Sequence, residues 1–196
     1  MNKISQLDTD WFLSLNGHHA AWLDPVMFLL TKTYLWLPLY ACMLWLIYKK
    51  YDRKSMYLIV AAIALSVTLA DRITSGIMKP YFLRPRPTHE PAIQHMVHTV
   101  NGYVGGQYGF ASSHAANVFA VALLLWLLLR KHYRHSWLIF VWAVFVSYTR
   151  IYLGVHYPGD ILAGALVGML CGLAMFLVFK AIQKRVMQAR RQAMSD

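Results

Sequence analysis

Acidic residues are scarce in this chain, eight against nineteen lysines and arginines in 196 residues. Charge of either sign is sparse, at 14% where soluble chains carry about 25%. Cysteine is limited to Cys42 and Cys171, each inside an apolar run. That excludes a disulfide framework or a CxxC metal site and leaves both as small core residues. No repeat period or low-complexity tract is present, so a solenoid is excluded. The opening MNKISQLDTDWF lacks the basic start and apolar run of a cleaved leader, and none is expected. What is abundant is hydrophobic: 58% of residues, with a mean hydropathy of +0.41. The net charge of +11 points to nucleic acid only if basic residues share one exposed face.

Long apolar runs account for the composition. Met56–Met78 is 23 residues, about 35 Å as a helix, enough for a hydrocarbon core of about 30 Å. His114–Leu129, Trp137–Leu153 and Ile161–Ile182 read alike. Thr33–Tyr48 is shorter and carries Pro38 in its first turns, where proline is tolerated. The expectation is an all-α integral membrane protein, a bundle of five transmembrane helices preceded by short interfacial helices. A sixth span through Trp11–Thr31 is the alternative, disfavoured by Asp24, Pro25 and the His18–His19 pair. Asp24 before Pro25 reads as a helix N-cap with proline at the first helical position.

The spans sort the charges. Lys49, Lys50, Arg53 and Lys54 follow the first span, Arg130, Lys131 and Arg134 the third, and Lys180, Lys184, Arg185, Arg190 and Arg191 the fifth. Only Asp52 and Asp196 oppose these twelve. Lys/Arg-rich loops are cytoplasmic, so the amino terminus and the segment Lys79–Ser113 face outward. Most of the basic excess is therefore an orientation signal, and no nucleic-acid partner is expected.

Ionisable residues at span ends default to function. Lys79, Arg84 and Arg86 follow the second span in KPYFLRPRP, Ser112, Ser113 and His114 open the third, and Thr149 and Arg150 close the fourth. His156 and Asp160 lead into the fifth. Alternating topology carries all of them to the outer surface. Arginine and lysine suit the oxygens of a phosphoryl group, a helix start with serines adds hydroxyl and N–H donors, and histidine serves as nucleophile or acid. Asp160, four residues after His156, shares its face if the stretch is helical.

These residues resemble the type-2 phosphatidic acid phosphatase superfamily of membrane lipid phosphatases, which is related to vanadium haloperoxidases and bacterial acid phosphatases. Its pattern is K-x6-RP, PSGH and SR-x5-H-x3-D. Lys79 through Arg86-Pro87 keeps the first spacing, Ala111-Ser112-Ser113-His114 stands for the second, and Thr149-Arg150 through His156 to Asp160 for the third. Ala111, Ser113 and Thr149 depart from the family's proline, glycine and serine. The resemblance implies that His156 attacks phosphorus to form a phosphohistidine, that Asp160 orients it, and that His114 protonates the leaving oxygen. It gives Lys79, Arg86, Arg150, Ser112 and Ser113 to the phosphate, and implies no metal or cofactor. Arg72 and Thr149 take supporting places, Arg72 either beside the site, seven residues from Lys79, or against Asp71. Arg84 is read as flanking the membrane.

The chain then reads as one membrane phosphatase domain over 1–196: outer interfacial helices in 1–32, a transmembrane core over 33–182 with an outer loop at 79–113, and a basic cytoplasmic tail at 183–196. Gly164, Gly168 and Gly172 form a small-residue face for helix packing. A loop as long as 81–110 suggests a substrate lid. The implied location is the cytoplasmic (inner) membrane, with the site on the periplasmic or extracytoplasmic side. Undecaprenyl diphosphate is the expected substrate, with phosphatidylglycerophosphate, phosphatidic acid and lipid A phosphates as alternatives. A lipid phosphotransferase and a non-enzymatic lipid-phosphate transporter are the rivals.

Overall fold

The computed structural model describes residues 3–192. Residues 193–196 of the expected tail, Asp196 among them, lie outside the described residues. Apart from one isolated bridge between Pro85 and Tyr108, the ordered elements are helical: α1 (Lys3–Gly17), α2 (Asp24–Leu30), α3 (Leu37–Tyr48), α4 (Arg53–Asp71), α5 (Lys79–Phe82), α6 (Ser113–Leu129), α7 (Leu138–Tyr152) and α8 (Pro158–Gln192). The fold is thus all-helical and apolar enough for a membrane protein.

Among the described residues, two helical stretches are long and apolar enough to cross a membrane, Arg53–Phe82 and Pro158–Val186, or three if Asp24–Leu30 and Thr33–Tyr48, bent by 72°, count as one. The expectation of five rests on α6 and α7 as well. At 17 and 15 residues these are about 26 and 23 Å long, short of a hydrocarbon core of about 30 Å. The amino-terminal region is two short helices, with the break at residues 18–23, where His18 and His19 stand just before Asp24 and Pro25 open α2. Asp24 is not the cap, because Leu23 holds that position without a side-chain bond. Its carboxylate instead accepts from the Tyr152 hydroxyl at 2.6 Å and faces His98 Nε2 at 3.0 Å. Cys171 is buried, but Cys42 is exposed on the outside of α3, so only one cysteine is a core residue.

Local chemistry sets the helix ends that matter. Asp52 caps α4 and Ser112 caps α6. At α8 the Asp160 carboxylate reaches back to accept from Tyr157 N at 3.1 Å, a capping-box contact at the third helical position. Between α7 and α8, Gly154 takes a φ of +76°, and a Cβ there would stand 2.7 Å from the His98 carbonyl oxygen. That turn delivers His156 beside the start of α8.

The seam of α6 on α8 holds the bundle at closest approach. Cβ atoms at Gly164, Gly168 and Gly172 would overlap the carbonyl oxygens of Ser112, Ala116 and Ala120. Backbone therefore meets backbone, as the four-residue glycine spacing predicts. The main apolar core lies farther along, around Ile47, Ile59, Leu124, Leu128, Val146 and Phe179. Between α4 and α5 the chain continues as a π-helical turn, Arg72–Met78. Such wider turns cluster at functional sites, and this one immediately precedes Lys79.

Candidate active site

His156 is 1% exposed, at the turn before α8. Its Nδ1 lies 3.2 Å from Asp160 Oδ2 and its Nε2 lies 3.2 Å from Arg86 Nη1. A guanidinium has no acceptor, so Nε2 carries the lone pair and Nδ1 the proton, directed at the carboxylate. Burial, and then the charges of Arg86, Arg150 and Lys79, hold the imidazole well below its usual pKa of 6.5. The result is a neutral histidine whose lone-pair nitrogen, Nε2, faces the cation Arg86.

The expected phosphate ligands converge. Arg86 Nε donates to Tyr108 O and Nη1 to Val155 O, both at 3.2 Å. Arg150, buried at the end of α7, donates from Nη1 to Thr31 Oγ1 at 2.7 Å and from Nη2 to the Tyr103 hydroxyl at 3.0 Å, while its buried Nε has no protein partner. Lys79 Nζ donates to Ser113 Oγ at 2.8 Å. His114, the second residue of α6, stands within electrostatic range of Arg150, His156, Lys79 and Arg86. Three cations and two histidines from four separate chain segments thus surround one space.

The family's glycine position holds Ser113, which starts α6 without a positive φ. Its hydroxyl meets Thr74, Ser75 and Lys79 at 3.0, 2.7 and 2.8 Å, contacts that a glycine cannot make. Ser112 holds the helix start, its hydroxyl accepting from Ala115 N at 3.5 Å and its N–H donating to Asp160 O at 3.0 Å. Thr149 bonds Val146 O at 2.6 Å and so supports its own helix. Arg72 is exposed and bonds neither the site nor Asp71. The π-helical turn breaks the two-turn register that was to carry it to the side of Lys79.

Three contributors escape the sequence motifs. Thr31 and Tyr103 hold Arg150 from segments far along the chain. Arg84, read from the sequence as flanking the membrane, is committed to two carboxylates rather than to the phosphate: its Nη1 binds Asp160 Oδ1 at 2.9 Å and its Nη2 binds Asp8 Oδ2 at 2.8 Å. Its place inside the K-x6-RP stretch, two residues before Arg86, was the available hint. The long loop is tied down, with Arg86 N bonded to Gln107 O and Gly109 N to Arg84 O. Beneath His114 an apolar cavity of about 580 Å³ opens among α3, α4, α6 and α7, walled by Trp36, Tyr40, Val60, Val121 and Trp142.

The sequence profile of the PAP2 superfamily matches residues 56–184, two thirds of the chain and all of these motif residues. The chain belongs to the PAP2 superfamily. It is a phosphatase of that superfamily. It is 39% identical over 184 residues to the lipid A 4′-phosphatase of Bacteroides thetaiotaomicron, covering 93% of this chain and 81% of that one. It is 35% identical over 185 residues to the lipid A 4′-phosphatase of Porphyromonas gingivalis, covering 94% and 78%. The crystal structure of the transmembrane PAP2-type phosphatidylglycerolphosphate phosphatase from Bacillus subtilis superposes with a TM-score of 0.64 at 23% identity, over 95% of this chain and 89% of that one. At that identity the likeness speaks for the PAP2 fold alone. The expectation of undecaprenyl diphosphate finds no support in these two relatives, both named lipid A 4′-phosphatases.

Proposed function

We propose that this chain hydrolyses a phosphate monoester of a lipid A-type lipid, through a phosphohistidine on His156, at the outer face of the cytoplasmic membrane. The observation that carries the reaction is the His156 imidazole, held by Asp160 at one nitrogen and open to a cluster of three cations at the other. The His156 Nε2 lone pair forms the bond to phosphorus as the bond from phosphorus to the lipid oxygen breaks. That oxygen takes its proton from His114. A water then loses a proton to His114, attacks the phosphohistidine, and releases inorganic phosphate with His156 restored. Lys79, Arg86 and Arg150 hold the phosphoryl oxygens, with the Ser112–Ser113 helix start. Phosphoryl transfer needs little beyond such positioning and charge.

Two features support a lipid substrate. The cavity beneath His114 is apolar, and at about 30 Å³ per water-sized group its 580 Å³ accommodates a chain of roughly twenty carbons beside the phosphate. The lipid A class comes from the two relatives named above. In the membrane we read α3, α4, α6, α7 and α8 as five spans, with α1 lying in the outer interface. There Ile4, Leu7, Trp11 and Leu15 form an exposed apolar stripe at helical spacing.

A panel of phosphate release tests the reading, using purified protein in detergent with lipid A, undecaprenyl diphosphate, phosphatidylglycerophosphate and phosphatidic acid, and His156→Ala as control. We expect lipid A to give the highest kcat/KM and the variant to lose at least about a thousandfold. Preference for another lipid overturns the substrate, and an active variant overturns the mechanism.

A further inference from the structure

The amino-terminal helix reaches the nucleophile through one carboxylate. Asp8 Oδ2 binds Arg84 Nη2 at 2.8 Å, Arg84 Nη1 binds Asp160 Oδ1 at 2.9 Å, and Asp160 Oδ2 faces His156 Nδ1 at 3.2 Å. The other oxygen of Asp8 accepts from Gly159 N at 2.7 Å, in the first turn of α8. One side chain therefore touches both the counter-ion of the orienting carboxylate and the helix start that carries it. Asp8 lies outside the stretch 56–184 matched by the superfamily profile, and Arg84 lies between the two motif cations rather than being one of them.

We infer that Asp8 is a positioning residue for the phosphatase reaction, locking Arg84 onto Asp160 and thereby fixing the tautomer and aim of His156. Asp160 has no exposed surface, whereas the Arg84 side chain is 25% exposed, so the pair is vulnerable on the arginine side. A guanidinium not held on both sides is drawn towards the charge of a phosphate bound at the neighbouring cations. Asp8 holds the outer edge of the fork and keeps Arg84 on the carboxylate. Stacking of Arg84 4.0 Å over the Tyr157 ring leaves the fork little freedom in the third direction.

The surroundings are built for this contact. A Cβ on Gly159 would stand 2.7 Å from Asp8 Oδ2, so the glycine of the PGD turn makes room for Asp8. The helix is held in register at a second point, Asn16, whose Oδ1 accepts from His98 N at 2.8 Å and whose Nδ2 lies 2.9 Å from Tyr152 O. Phe12 packs edge-on against Tyr157 with ring centroids 5.4 Å apart. Asp8, Phe12 and Asn16 face the body of the protein, Asp8 alone reaching the site, while the apolar stripe faces away.

The inference rests on the phosphatase reading above, and its test separates the two. Asp8→Ala, Asp8→Asn, Gly159→Ala and Asn16→Ala are compared by lipid A turnover and by nitrogen-15 histidine NMR, with His156 assigned from its own variant. We expect Asp8→Ala to lower kcat about 10- to 100-fold, the usual cost of losing an outer-shell partner, with KM within about twofold, and to mix the His156 tautomers. Asp8→Asn keeps an acceptor for Gly159 N and should fall between it and the parent. Gly159→Ala, which displaces Asp8, should copy Asp8→Ala. Asn16→Ala should lower the melting temperature but leave kcat per folded molecule and the tautomer unchanged. Combined with Arg84→Ala, the loss of Asp8 should cost only the share carried by its Gly159 contact, clearly less than Asp8→Ala costs in the parent. Folded Asp8→Ala with an unaltered tautomer and kcat, or a loss fully additive with that of Arg84→Ala, overturns the inference. Tautomer mixing in Asp8→Ala, with no turnover even in the parent, supports the positioning role and overturns the phosphatase reading instead.

Discussion

Protonating His156 would remove the lone pair that attacks phosphorus, so its surroundings set the acid limit of the reaction. Burial and three neighbouring cations favour the neutral ring. The acid limb of kcat/KM, which reports the free enzyme, should therefore fall below pH 6.5, with rates within about twofold down to that point once substrate ionisation is accounted for. Arg86→Gln removes one of those charges, favours the imidazolium and should move the limb upward; a downward shift contradicts the account. Ser113→Gly restores the family's residue but removes the hydroxyl under Lys79, a bond to a charged group worth about 1 kcal/mol or more. We expect a loss of roughly fivefold or more in kcat/KM, and unchanged kinetics would release Ser113 from that role. The motif residues were legible because their spacing carries the chemistry. Thr31, Tyr103, Asp8 and Arg84 were not, because each acts through a partner 47 to 119 positions away.

Helix α8 sets the geometry of the site from its first turn and that of the bundle from its glycine face. Gly168→Ala puts a methyl group into the Ala116 carbonyl, with no flexible side chain able to yield. Overpacking of this kind costs about 1–3 kcal/mol and should lower the thermal midpoint in detergent, and Gly168→Val should lower it further. A stable Gly168→Val would contradict the close seam. This face was visible in the sequence, since a four-residue glycine repeat on an apolar helix has few other uses. The π-helical turn was not, and it defeated the placement of Arg72. Apolar periodicity cannot distinguish a turn of wider pitch, so register counted across it fails. The Asp24 cap failed for a related reason: the short polar side chain found a stronger tertiary partner in Tyr152 than in its own helix.

At the scale of the molecule, two populations of charge do different work. Lysines and arginines between α3 and α4, between α6 and α7, and along the end of α8 lie away from the helix ends that form the site, as the orientation argument requires. The apolar runs disclosed the helical membrane architecture, while the number of crossings stayed beyond reach of length and composition because α6 and α7 are short. With the native cysteines replaced, His95→Cys in the outer loop should react with a membrane-impermeant maleimide in intact cells and His132→Cys should not; the reverse pattern would invert the chain. The central claim concerns His156 itself. Rapid acid-free quenching during turnover of phosphorus-32-labelled lipid A should trap label on the protein that survives alkali and is lost in acid, on the peptide containing His156. Absence of label from that peptide while phosphate is being released, or label that persists in the His156→Ala protein, would contradict the account.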